Sequence, residues 1–542
     1  MNHRLLAKKN KRENIYRVIL SLLLSVQTVC MTRVNFKGLQ KMVDVNYMDS
    51  FGVSAIILGI ILYIFFYVII CVIDEPIKKF IGKHSVVTHV EDKDRKRILG
   101  FWAIIIFITW IPYYLSYYPG GIYADTFGSI SFVITDKLSN RHPLLYNTLI
   151  SFFIHLGDLA GKNLTWSIGL FCAVQMLIIE CEFIYFISWM LRYNISRSIR
   201  IANAIFLVFF PLIPLYAISI WKDTPFCMAI FFWMMFIVDL YFEIKNENIQ
   251  YKSVIGYEIG CFLVAFTRNN GIYVIIINTL FLIILLIRKI RTEIKTRYVI
   301  GASIISIAVI MFVQGPIYNI VGVEQTNLVE NFGIPLQQIG AVVVYEGNIT
   351  EEQKNQINNF ISYESIKEHY TPCLADNLKW NENFNEQYFS EHIDEFLKLW
   401  FQLLKQNPTI FIKSYLMATL GFWDIDVATG DAYVQNFIWP SGLDTIDEKD
   451  YFNEWFGFSF KHFVNPRHFI SNAWFFWIFL VSAWFVAKHY GIKSTFLFTP
   501  QLGIWLTLMV ATPIAVSLRY IAANMFTLGF TIIVPILLER NY

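Results

Sequence analysis

Residues 51–73 read FGVSAIILGIILYIFFYVIICVI, and no charged residue interrupts them. A helix of that length extends about 34 Å, enough to cross the roughly 30 Å hydrocarbon core of a bilayer. This run decides the fold class as an α-helical membrane protein, and the rest of the chain is read outward from it. Hydrophobic residues are 56 % of the 542 and charged residues only 16 %, against about 25 % charged in soluble chains. That composition excludes a disordered chain and argues against an ordinary soluble enzyme. The net charge of +3 gives no argument for nucleic acid as a partner.

Further apolar runs lie near Ile15–Met31, Ile98–Ser116, Trp166–Leu191, Ile201–Ser219, Thr224–Phe242, Ser253–Thr267, Gly271–Ile287, Tyr298–Gln314, Phe469–Ala487, Thr495–Ala511 and Ile521–Leu538. With residues 51–73 they make about twelve expected transmembrane helices. The first lacks a small-residue cleavage site and reads as an uncleaved anchor rather than a signal peptide.

Basic clusters set the orientation. They are Arg4 to Arg12, Lys78 to Arg97, Arg192/Arg197/Arg200, Lys245/Lys252, Arg288 to Arg297 and Lys488/Lys493. Placing all of them in the cytoplasm makes the spans alternate, with both termini cytoplasmic, in a chain of the cytoplasmic membrane. Parity then keeps two apolar runs, His142–Leu156 and Thr409–Trp423, from crossing. They read as juxtamembrane helices.

Four parts follow: a two-span addition with a basic loop (1–97), a membrane core (98–314), an exported acidic insertion with a juxtamembrane helix (315–468) and the last transmembrane helices (469–542). The exported insertion is expected to be mostly helical. Thr350-Glu351-Glu352-Gln353 fits a capping box. Ile393, Phe396, Leu397, Trp400, Leu403 and Leu404 recur at helical spacing, in a helix that should end before Pro408. Six of seven cysteines lie in apolar stretches and only Cys373 in a polar one, so no disulfide framework is expected.

The outside loops gather polar groups close to the membrane. Tyr117-Tyr118-Pro119-Gly120-Gly121 forces a turn and sets Asp125 just beyond a span; the competing reading makes Asp125 or Thr126 a helix N-cap. Asn140-Arg141-His142-Pro143 opens the juxtamembrane helix, with His142 either orienting a ligand or serving only as a residue at the start of that helix. Trp221-Lys222-Asp223 fills a tight turn, with Trp221 as an interfacial anchor and Asp223 as a second acid facing Asp125 or a cap. Arg268-Asn269-Asn270-Gly271 and Arg519-Tyr520 place two arginines outside, against the positive-inside trend. They either snorkel to headgroups or bind a phosphate, which the guanidinium fork suits.

Carboxylates and arginines at an outer leaflet suit transfer of a sugar from a polyprenyl phosphate. A carboxylate takes the proton of an incoming hydroxyl, and cations stabilise the departing phosphate. The lipid tail needs an apolar groove. No nucleotide-binding glycine pattern and no C-x-x-C or H-x-x-x-H metal spacing appears.

The order of these segments resembles the GT-C superfamily of integral-membrane glycosyltransferases, which includes protein mannosyltransferases and lipid A aminoarabinose transferases. Tyr118-Pro119-Gly120-Gly121 with Asp125, Lys222-Asp223, Arg268 to Tyr273, Ile334-Pro335-Leu336-Gln337-Gln338-Ile339 and Arg519-Tyr520 are more closely similar to a family of uncharacterised multi-pass bacterial membrane proteins placed near GT-C. The resemblance spans about Ile98 to Leu538. It implies a GT-C-like fold and an inverting, polyprenyl-phosphate-dependent glycosyltransferase of the cell envelope. Asp125 would be the base or acceptor orienter, and Asp223 its second acid. Lys222, Arg268, Arg519 and Tyr520 would contact the donor, with His142 shaping the site. The implied partners are a polyprenyl-phosphate-linked sugar, membrane lipids and an extracytoplasmic glycan, lipid or protein acceptor. A divalent metal is the one cofactor it leaves open. Many members carry an acidic pair where this chain has Asp125 and Thr126, which weakens the case for a metal. His142-Pro143-Leu144 replaces a double proline, which leaves the acceptor class open.

Two other readings compete. A transporter or lipid flippase would explain Glu180 and Glu182 within a span. A non-catalytic partner in envelope assembly would tolerate loss of Asp125.

Overall fold

The computed structural model describes residues 2–35, 48–87, 91–135, 137–287, 294–427, 446–463, 470–511 and 514–541. The basic residues Arg288, Lys289 and Arg291, Pro513 and residues 428–445 and 464–469, most of them in the last part of the exported insertion, lie outside the described residues. Among those described, the chain is helical and has no strand; pairing is limited to isolated bridges.

The first part of the chain runs α1 (Asn2–Met31), α2 (Val53–His84), α3 (Asp92–Ser116), α4 (Ala124–Ile134), α5 (Leu144–Leu159), α6 (Leu164–Arg192), α7 (Arg197–Phe209), α8 (Leu212–Ala217), α9 (Asp223–Lys245), α10 (Tyr251–Thr267), α11 (Gly271–Leu286) and α12 (Ile294–Phe312). Among the described residues, six stretches are long and apolar enough to cross a membrane: Lys11–Met31, Val53–His84, Asp92–Ser116, Leu164–Arg192, Asp223–Lys245 and Lys295–Val321. The protein is therefore an α-helical, multi-pass membrane protein.

The remaining apolar runs are helical but shorter or interrupted. The run 201–219 divides into α7 and α8 because Pro211 has no N–H to continue the ladder. α10 has 17 residues and α11 has 16. Near the C-terminus lie Asn472–Tyr490, Thr499–Val510 and Phe530–Arg540. The two segments read as juxtamembrane are short: α5 has 16 residues and Pro408–Ala418 has 11.

The boundary expected at Gly315 is displaced. The helix widens by a π turn over Val313–Ile317, which accommodates Pro316, and continues to Val321. Gly322, at φ +78°, closes it in the left-handed conformation.

Beyond it the exported insertion has its own core, built on Val329, Leu336, Ile339, Phe360, Phe389 and Phe396. The Thr350 capping box forms: Gln353 N–H donates to Thr350 Oγ1 at 3.2 Å, and Thr350 N–H donates to Gln353 Oε1 at 3.0 Å. The helix Ile393–Gln406 buries Phe396, Leu399 and Leu403 and ends before Pro408, but Leu397 is exposed.

Side-chain contacts gather at two ends of the bundle, separated by the length of α9, about 34 Å. At one end Asp74 pairs with Arg17, Lys488 and His489. Arg12 donates to the Ala487 carbonyl, Arg540 to that of Asn194, Lys245 to that of Asn541 and Lys493 to that of Leu285. At the other end the loops before α4, α6, α9 and α11 meet the exported insertion.

Candidate functional site

The site begins with two loops locked together. Gly121 N–H donates to Ile218 C=O at 2.8 Å and Ile220 N–H to Gly121 C=O at 2.9 Å, so the loop after α3 runs beside the loop before α9. Glycine is needed at 120. Its φ is +149°, and a Cβ there would lie 2.9 Å from the Ile218 carbonyl and 3.0 Å from Cys172 Sγ. Thr126 accepts the Tyr123 N–H at 3.0 Å and donates to the Ile220 carbonyl at 2.6 Å. Thr126, not Asp125, thus fixes the start of α4, and the Asp125 carboxylate is left for the cavity. Trp221 is not an interfacial anchor. It is buried, stacked on Tyr123 with ring centroids 3.5 Å apart.

Five charged groups alternate along this floor. Lys222 Nζ lies 3.4 Å from Asp125 Oδ2, and Arg519 lies 2.9 Å from the same oxygen. Arg519 Nε also reaches Asp223 at 3.5 Å, and Arg268 pairs with Asp223 at 3.1 Å. Both guanidiniums rest against the Tyr520 ring, at 5.2 Å for Arg268 and 4.9 Å for Arg519. The Asp223 side chain is 0 % exposed. The expectation that it faces Asp125 is corrected: it lies behind the two arginines and holds them. It is a positioning residue rather than a second acid in the cavity.

Burial would raise the Asp125 carboxyl, but Lys222 and Arg519 outweigh it and hold the group well below the usual carboxylate range. His142 moves down to about 3, through burial first and then the nearby Lys222 charge. Its imidazole is neutral at pH 7, 4 % exposed, and its Nδ1 has no hydrogen-bond partner.

These groups open into one cavity of about 530 Å³, within the roughly 300–1,000 Å³ of small-molecule sites. Asp125, His142, Lys222, Arg268, Arg519 and Tyr520 all line it. Sequence reading did not single out its opposite wall, formed by Glu324 to Asn327, Glu330, Asn331, Asp376 and Trp380. The one signal was the polar run directly after a span. Gln337 and Gln338 do not reach the site. They donate to the carbonyls of Thr371 and Phe411 inside the insertion.

A second cavity, about 520 Å³ and almost wholly apolar, lies between α5, α6, α9 and α10, with Leu145, Phe171, Ile178, Ala229 and Phe232 in its wall. Thr224 and Pro225, next to Asp223, and Thr267, next to Arg268, also line it, so it begins beside the paired charges. The two carboxylates do not fit a divalent metal. Arg519 stands between them, and among the described residues no group of three or more His, Cys, Asp or Glu could hold one.

No curated protein and no solved structure matches this chain. A family described as a family of unknown function (DUF6020) matches residues 133–458, a stretch that includes His142, Lys222, Asp223 and Arg268 while Asp125, Arg519 and Tyr520 lie outside it. Since that stretch is more than half of the chain, the protein belongs to the DUF6020 family.

Proposed function

We propose that the protein is a GT-C-like membrane glycosyltransferase that moves a sugar from a polyprenyl phosphate to an acceptor outside the cytoplasmic membrane. The observation that carries this reading is the pairing of Asp125 with Lys222 and Arg519 in a cavity beside an apolar groove. The floor, with three cations and two carboxylates, keeps one positive charge, which matches a phosphodiester. The groove offers the tail an apolar bed.

The chemistry is a single displacement with inversion. The acceptor oxygen bonds to the anomeric carbon as the bond from that carbon to the phosphate oxygen breaks. The hydroxyl proton passes to Asp125, and the phosphate leaves with the electron pair, stabilised by Lys222, Arg268 and Arg519. Two cations make the resting Asp125 a weak base. A donor phosphate competes for Lys222 and Arg519, which frees the carboxylate and strengthens it as a base when the donor is bound.

In this reading the chain crosses the membrane twelve times with both termini cytoplasmic. The two sets of end contacts support it, since the segments that meet around Asp74, Asn194 and Ala487 are those next to the basic clusters. The site then faces outside. One observation favours transport instead: Glu182 lines the apolar groove with a buried, unpaired Oε1.

Purified protein incubated with radiolabelled polyprenyl-phosphate sugars should transfer or hydrolyse the sugar, and Asp125→Asn should not. Equal turnover by both would remove Asp125 from the mechanism. No turnover by the folded wild type, with movement of labelled lipid across vesicles, would establish the transport reading instead.

A further inference from the structure

The wall of the cavity opposite the charged floor, called its outer half below, takes no part in the step above. Its wall joins the Asn269-Asn270 turn between α10 and α11, the segment after α12, and Trp380 of the insertion. Backbone bonds fix that junction: Glu324 N–H donates to the Leu138 carbonyl and Asn140 N–H to the Glu324 carbonyl, both at 2.8 Å.

The wall is electrically balanced. Lys137, Arg141 and Lys379 stand against Glu324, Glu330 and Asp376. Glu330 and Asp376 both pair with Lys379, at 2.6 and 2.8 Å, and the Lys379 side chain is 1 % exposed. The Arg141 guanidinium sits 4.4 Å from the Trp380 ring. This wall therefore adds no net charge of its own to that of the floor.

What remains is uncommitted hydrogen-bonding capacity. Asn269 spends its amide N–H on the Asn140 carbonyl at 2.8 Å and leaves Oδ1 buried and unpaired. His142 Nδ1 is buried and unpaired on the same cavity. Buried polar atoms without partners are costly, but these two are closed to the cavity, so the capacity a ligand meets is that of the amides in its wall. Asn270, Gln325, Asn327 and Asn331 add amides, each carrying both donors and an acceptor. Trp380, 43 % exposed at the rim, offers an apolar ring face beside them.

We infer that the outer half is an acceptor subsite for a neutral glycan, with hydroxyls on the amides and a sugar ring against Trp380. The term acceptor rests on the glycosyltransferase reading; the binding of a glycan does not. A lipid acceptor would need an apolar surface where this wall is polar. A peptide that binds by adding a strand would need a strand edge, and the described wall has none.

The test is saturation-transfer NMR on the full-length protein in lipid nanodiscs. The probe is a mixture of neutral oligosaccharides built from glucose, mannose, galactose and N-acetylglucosamine, with uronic-acid oligosaccharides as the charged comparison. The neutral set should receive saturation from wild type, with no need for the carboxylate that the charged set carries. Trp380→Ala should cut the signal about fivefold or more, and Trp380→Phe should restore most of it. Asn327→Ala with Asn331→Ala should also reduce it. No signal from wild type, or one unchanged in Trp380→Ala, overturns the subsite. Glycan binding without donor turnover would sink the donor reading and leave the subsite standing. Donor hydrolysis without glycan binding would do the reverse.

Discussion

Arg519 stands between Asp125 and Asp223, 2.9 Å from the first carboxylate and 3.5 Å from the second. One guanidinium thus ties the cavity-facing acid to the acid buried behind it. The two aspartates are chemically alike but differ in what they do. Asp223→Asn leaves two part-buried arginines short of a fully buried counter-charge, which should cost up to about 3 kcal/mol. Asp125 keeps one edge in the cavity, so Asp125→Asn should cost clearly less stability while abolishing transfer. Thermal unfolding in detergent, read beside the transfer assay, checks the pair; equal destabilisation by both variants would contradict the assignment.

If the donor phosphate takes Lys222 and Arg519 from Asp125, the base changes between free and bound enzyme. The acid limb of kcat/KM reports the free enzyme and that of kcat the complex. Asp125 is held below the usual carboxylate range when free, so the acid limb of kcat should lie at higher pH than that of kcat/KM. Coincident limbs would mean that donor binding leaves the ion pairs intact.

His142 contributes a pH-dependent stability of definite sign. Its pKa in the folded state is down to about 3, against about 6.5 in an unfolded chain. Below about pH 6.5 the unfolded chain takes a proton that the folded one refuses, so stability is full above that value and falls as the pH drops toward the folded pKa. The slope from this group is about 1.4 kcal/mol per pH unit. Asp125 adds no slope there, because both its folded and unfolded forms are ionised above about pH 5. Denaturation midpoints between pH 7 and pH 5 should fall less in His142→Gln than in wild type.

Gly120 holds the loop that carries Asp125. Gly120→Ala would meet the Ile218 carbonyl and adopt a strained φ, at about 1–3 kcal/mol. Transfer should fall more than the melting temperature suggests, because the displaced loop moves the carboxylate away from Lys222. An alanine variant with wild-type kcat would show that the loop tolerates the shift.

Ala229 lines the apolar groove and is 3 % exposed. Ala229→Phe narrows the bed for the tail without touching the charged floor. KM for a long-chain polyprenyl donor should rise several-fold, about 1 kcal/mol or more of lost burial, while a short-chain donor analogue should be little affected. An equal rise for both chain lengths would place the tail elsewhere.

Much of this was legible along the chain because hydropathy and charge are local properties. Residues 51–73 could be nothing but apolar helix, Thr350 to Gln353 announced its own cap, and Pro408 marked a helix end, whereas the break at Pro211 inside the run 201–219 went unread. The loops bearing Asp125, Lys222, Arg268 and Arg519 stood out because charged groups next to apolar spans are costly and therefore few.

Their order in space was not legible. Which acid meets which cation depends on which helix ends are neighbours, and that is settled by how α4, α9, α10 and the C-terminal segment 518–526 come together rather than by any window of sequence. The same holds for the outer wall, where Asn269, Asn327, Asn331 and Trp380 come from three separated segments with no shared period. The sequence by itself determined a helical membrane protein and the loops that carry its charges. Only the tertiary structure decided that Asp223 is buried behind Arg519, that Asp125 faces the cavity and that a balanced, amide-rich wall stands opposite. Burial and ion pairing are properties of neighbours in space, and those neighbours come from distant parts of the chain.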